Sequence, residues 1–309
     1  MLHTQIFEPF SPGNTELMVA AQQSVYGVAL ARQIRYERYC YIEEGVAHLE
    51  LGPARRDEVH QTWTREILDA DVDNLHHNTY TALLGQAICD TEAVDHETKG
   101  LVVRSLLVHD LKEAVLDVSV HEGDITYDEA VRRGQASHMA EHAELGDILR
   151  QEPHLFGLSE EQVSEVEHAL NDSKEHPPRT EAGQLIEITE RIGYMHSALR
   201  ACHVATAEAS LHGRQREMFF WMAENVFGNQ LSRLIELAPN RPSVRTFLDE
   251  RAEDISLVFA YLMEPWTTRV VAELYLTEGK DDPAKRRAMR DTALQKWLDY
   301  LDTSLAAAS

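Results

Sequence analysis

Leu101–Ala114, LVVRSLLVHDLKEA, is the stretch on which the fold turns. An apolar run leads directly into His109-Asp110, and Glu113 follows. Successive residues of a helix are about 100° apart, so His109 and Asp110 are expected to flank one helix edge, with Glu113 a turn further on. Three ionisable side chains would then share one groove at the end of an apolar helix. A neutral imidazole beside a carboxylate suits a divalent cation, and a further carboxylate can accept a proton from water.

Working outward, nearly every longer segment after Glu66 has a helical period. Helices are predicted at Asp73–Cys89, Glu97–Val118, Tyr127–Gln151, Ser159–Asn171, Glu181–Leu211 and Arg214–Leu237, then at Ser243–Leu262, Thr267–Thr277 and Asp282–Leu305. Ser159 followed by Gln162 forms a capping box at the start of the fourth. Gly123, Pro153, Gly157, Pro177-Pro178 and Pro239 to Pro242 fall between the periodic segments. Sustained strand alternation is almost absent, so the expected class is all-α. Ahead of this region, Thr15–Ile34 also reads as a helix. Tyr36–Leu51 reads as either a continued helix or a hairpin, ending at Gly52-Pro53.

The 309 residues carry 29 Lys and Arg against 52 Asp and Glu, a formal charge of -23. Such a surface repels phosphate backbones and anionic lipid, so neither a nucleic-acid polymer nor a membrane is an expected partner. A local basic pocket could still hold one small phosphate ester. Cys40, Cys89 and Cys202 are far apart and form no C-x-x-C pair, which argues against a disulfide framework. The opening MLHTQIFEPFSPGNTE has neither the basic start nor the apolar run of a signal peptide, and the expected location is the cytoplasm.

At His109-Asp110 the chain resembles the HD superfamily of metal-dependent phosphohydrolases. That family pairs an isolated His with a later His-Asp at the end of an apolar helix and with a distant Asp. His77, heading HNTYTALLGQAI, fits the first position, with His76 as its neighbouring competitor. For the last ligand the family writes Asp-Arg on an apolar helix, whereas QLIEITERIGYM offers Glu190-Arg191. Glutamate ligates at the same distance but needs a shifted backbone or a different mode to do so. The resemblance thus implies a helical bundle holding a divalent metal (Mn, Mg, Co, Fe or Zn) on His77, His109, Asp110 and Glu190.

The run HDLKEA is also similar to a subgroup of small-nucleotide hydrolases that includes the 5'-deoxynucleotidases, which implies that Glu113 is the catalytic acid or base, acting beside Asp110. The Gly-Asp that follows in that subgroup is not cleanly matched by Asp117 or Gly123-Asp124. Its Arg-Trp pair is reduced to Trp63, with Arg65 as the substitute.

A second likeness is to binuclear HD proteins. HAELGDIL, from His142, matches their His-x-x-x-Gly helix, and His168 stands where they carry a further histidine. Six ligands would then hold two cations bridged by Asp110. His138–His142 also reads H-x-x-E-H, but the mixed sheet expected of such proteases is missing.

The substrate implied is a small anion, in first place a nucleotide. Lys174 is the leading residue for its phosphate, followed by Lys112, Arg65, the Arg132-Arg133 pair and Arg179. Two other readings stay open: a di-iron oxygenase on the same ligand set, and a binding protein on an HD core that has lost catalysis. The resemblance covers residues 66–212. It leaves an N-terminal extension, 1–65, and a C-terminal helical region, 213–309, to pack on the core, cover the pocket or form a homodimer interface.

Overall fold

A computed structural model describes residues 74–111, 145–150, 158–207, 213–278 and 282–308. The fold is all-α, and no strand occurs among the described residues. Helix α1 spans Asn74–Glu92 and α2 His96–Val108. After a helical segment at 145–150 come α3, Glu160–Ser173, and α4, Glu181–Ala207. The C-terminal third contains α5 (Gly213–Val226), α6 (Ser232–Leu237), α7 (Pro242–Glu250), α8 (Ala252–Leu262), α9 (Pro265–Glu278) and α10 (Pro283–Ala308).

Local chemistry accounts for several of these starts. Asp95 caps α2, its Oδ1 accepting from the backbone N–H of Glu97 and Thr98 at 2.9 Å each. Ser159 and Gln162 form the reciprocal capping box at α3 that the sequence predicted. Pro242 opens α7, where the missing N–H costs nothing. At the end of α1 the chain turns through Ala93 at φ 53, with Val94 N–H bonded to Cys89 O and Ala93 N–H to Asp90 O. This is a Schellman stop with alanine where glycine is usual.

Helix α4 is the axis of the molecule. Leu185, Ile186, Ile188, Ile192, Met195, Ala198, Ala201, Cys202 and Ala205 are all buried, so several of its faces are covered. It packs on α1, α2 and α3 and also on α5, α6, α7 and α8. Each fully buried Leu or Ile side chain stabilises the fold by roughly 1.5–3 kcal/mol. Close approach is achieved at Gly85, where a Cβ would lie 2.3 Å from Leu106 of α2.

The C-terminal third shares this core. Glu92, at the end of α1, accepts from the backbone N–H and hydroxyl of Ser243 at 2.8 and 2.5 Å, capping α7 from across the fold. Buried Glu187 of α4 meets Arg191 at 2.9 Å and Arg233 of α6 at 3.1 Å.

Two predicted helices are in fact divided. Arg214–Leu237 is interrupted by a π-helical turn at Phe227–Leu231, where Gly228 comes close to Met289 and the Arg290 backbone of α10. Ser243–Leu262 is broken at Arg251, whose backbone leaves the helical range with φ -105 and ψ 13. Neither Gly nor Pro marks that break. No described helix is long and apolar enough to cross a membrane.

Candidate metal centre

Three of the expected donors meet between α1 and the end of α2. Val102, Ser105, Leu106 and Val108 bury one side of α2 and fix its rotation. The chain keeps helical geometry at His109, with φ -58 and ψ -36, as it leaves the helix. His109 is buried, and its Nδ1–H donates to the Leu106 carbonyl at 2.7 Å. A carbonyl can only accept, so this bond fixes the tautomer and leaves the Nε2 lone pair pointing outward.

That Nε2 faces Nε2 of His77, buried on the first turns of α1, at 3.2 Å. Oδ2 of Asp110 lies 3.4 Å from each of these two nitrogens. The three donor atoms thus form a nearly equilateral triangle. Separations of this size are what donors show when each sits about 2.0–2.2 Å from a shared ion at angles between about 90° and 109°. The donor set therefore fits a divalent cation, and without one the His77 Nε2–H serves as donor to the His109 lone pair. Burial holds the His109 imidazole below its ordinary pKa, against the opposing pull of Asp110. It is neutral at neutral pH, which is the ligating form.

Glu190 stands beside this triangle without joining it. It projects from α4 within electrostatic reach of His109 and Asp110, yet both of its carboxylate oxygens accept from Lys174 Nζ, at 2.9 and 2.8 Å. Burial raises the pKa of Glu190, and the Lys174 charge outweighs it, so the group is held below the usual carboxylate range. Lys174 shows the mirror image. Burial lowers its pKa, and Glu190 followed by Asp110 raises it above the ordinary lysine range. The next residue, Arg191, is drawn away to Glu187 and Gln230.

Lys174 owes its position to Asp172. Lys174 terminates α3, with its backbone N–H bonded at Asn171 and Asp172. The Asp172 carboxylate then accepts from the backbone N–H of Arg179 and Thr180, at 3.0 and 2.9 Å, and from the Thr180 hydroxyl at 2.6 Å. Burial works against that carboxylate, but these bonds keep its pKa below the ordinary value. Thr180 in turn accepts from the Gly183 N–H at 3.0 Å, so the loop and the start of α4 are held as one piece.

His168 is not brought to the triangle. It is exposed on α3, where Val163, Val166, Ala169 and Leu170 supply the buried face. Its electrostatic partner is Asp172. Glu113, Lys112, Arg65 and His142 lie outside the described residues, as do Arg132, Arg133 and the H-x-x-E-H stretch. The segment 145–150 that follows His142 docks on α3, with Arg150 Nη2 2.6 Å from Glu167 Oε2. Gly146 leaves room for that glutamate, which a Cβ would meet at 1.5 Å.

The sequence reading overlooked the clamp between Lys174 and Glu190 and the role of Asp172. A buried acid in the last turn of a helix followed by a Thr before the next was the available signal for the latter. Compared with known proteins, the chain matches no family model, no curated protein and no solved structure.

Proposed function

We propose that the chain is a metal-dependent phosphohydrolase acting on a small phosphate ester, in first place a nucleotide. The reading is carried by the triangle of His77, His109 and Asp110, two imidazoles and one carboxylate at 3.2–3.4 Å. A divalent ion held there supplies positive charge for phosphoryl oxygens and acidifies a water.

The protein's own groups do the rest. The bond from His109 to the Leu106 carbonyl holds the imidazole in its ligating orientation. Lys174, fixed by its loop and facing Glu190 and Asp110, adds a cation beside the donors. Glu113, which follows the His-Asp pair in the sequence, is assigned the proton on the strength of the sequence resemblance. The overall charge of -23 favours a small ligand over a polyanion. The single-ion form is preferred because the donors gathered among the described residues ask for one ion, whereas a second would call on His142, which lies outside them, and on exposed His168.

The test is elemental analysis of gently purified protein, followed by a phosphate-release screen over nucleotides with that metal restored. Release above background that is abolished in Asp110→Ala supports the proposal. Equal release in that variant, or oxygen uptake with no phosphate release, overturns it.

A further inference from the structure

The sequence resemblance makes Glu190 a ligand, but the structure gives that carboxylate a different partner. Lys174 Nζ sits 2.8–2.9 Å from both Glu190 oxygens, which is the contact an ion would otherwise supply. Four observations make this clamp a built feature. The Lys174 backbone is fixed at the end of α3 by its own hydrogen bonds. The following loop is tied by three donors to buried Asp172. Arg191, the nearest alternative cation along the chain, is committed to Glu187 and Gln230. The Glu190 side chain is only 15% exposed and that of Lys174 35%, so the carboxylate is largely shielded from water.

We infer that Lys174 is a positioning residue, a half-buried cation that holds Glu190 out of the ligand set so that an ion would be bound by three protein donors. The inference rests on the metal-site reading proposed above. Its consequence is chemical. Three protein ligands leave more coordination positions for water and substrate oxygens than four do, and open positions distinguish catalytic from structural sites. Removing the ammonium leaves a largely buried carboxylate that needs a new positive partner, and an ion held on His109 and Asp110, with which Glu190 already interacts, would supply one. The same residue that tightens the fold at the α3–α4 loop therefore keeps the metal exchangeable and accessible.

The test is manganese binding to the full chain, with the number of waters on the ion read from magnetic relaxation. The proteins compared are wild type, Lys174→Met, Lys174→Arg, the double variant Lys174→Met with Glu190→Gln, and Asp110→Ala. The expected result is about tenfold or more tighter binding in Lys174→Met, with at least one water fewer on the ion. Lys174→Arg keeps the clamp and should stay within about threefold of wild type, which also covers the case of Lys174→Met folding poorly. In the double variant the tightening should disappear.

Unchanged affinity and water number in Lys174→Met would overturn the inference. Tightening that persists in the double variant would do so as well, because it would reflect charge repulsion alone and not recruitment of Glu190. Wild type binding manganese while Asp110→Ala does not supports the metal site, whatever Lys174 does. Failure of wild type to bind overturns both.

Discussion

The Nε2 atoms of His77 and His109 stand 3.2 Å apart, although the residues are 32 positions apart in the chain and on different helices. Two imidazole nitrogens meeting this closely need a shared proton or a shared ion between them. Asp110, 3.4 Å from both, completes a group of three donors that could hold a cation.

Replacing His77 by Ala removes one corner of the triangle and leaves the fold's core contacts in place. Manganese affinity should fall by more than about a hundredfold, beyond the 10–100-fold typical of losing an outer partner of a ligand. Wild type with ion at about one hundred times its Kd should gain about 2.7 kcal/mol of stability, and chelation should remove it. His77→Ala should show no such gain in thermal melts with and without metal.

His196 gives the fold an acid limit. Its Nδ1 shares a hydrogen bond with the Tyr80 hydroxyl at 2.5 Å, and burial, with a smaller push from Arg251, takes the imidazole down to about 4. An unfolded histidine titrates near pH 6.5. Between these values the unfolded chain binds a proton that the native state refuses. The stabilisation is therefore complete above pH about 6.5 and is lost as pH falls toward 4. Urea melts at pH 7 and pH 5 should differ by on the order of 2 kcal/mol from this group. His196→Gln should flatten that difference, and an equally steep fall in the variant would remove His196 as its source.

Ala93 adopts φ 53 at the end of α1, a conformation that costs an L-residue roughly 1–2 kcal/mol. Ala93→Gly should raise the stability of the protein by about 1 kcal/mol, less the greater freedom of glycine in the unfolded chain. Denaturant titration checks the sign, and a destabilised variant would show that the methyl group compensates.

Gly183→Ala should act in the opposite direction. Its Cβ would fall 2.1 Å from Asp172 Oδ2, inside the hydrogen bonds that tie Arg179 and Thr180. A loss of about 1–3 kcal/mol is expected from overpacking. The Lys174 clamp should loosen with it, visible as faster amide exchange across residues 174–180.

Much of this was legible in the sequence, for identifiable reasons. An apolar helix ending in His-Asp announces its donors because the burial that fixes α2 is written in Val102, Leu106 and Val108 themselves. The capping box at Ser159 is equally local. His168 could have been placed outside by the same logic, since Val163, Val166 and Leu170 already define the inner face of α3.

What stayed hidden is non-local. Whether Glu190 meets an ion or Lys174 depends on how the α3–α4 loop folds back, which periodicity does not encode. Glu92 caps a helix that begins 150 residues later, at Pro242. The π-helical turn at Phe227–Leu231 preserves the apolar rhythm around it, so the sequence reads one continuous helix.

Anomalous diffraction from crystals grown with manganese would show whether an ion binds at His77, His109 and Asp110. One strong peak is expected about 2.0–2.3 Å from Nε2 of both histidines and from the Asp110 carboxylate, with Glu190 still on Lys174. Crystals fully exposed to manganese with no peak at that triangle, or with the ion held elsewhere in the chain, would contradict binding there.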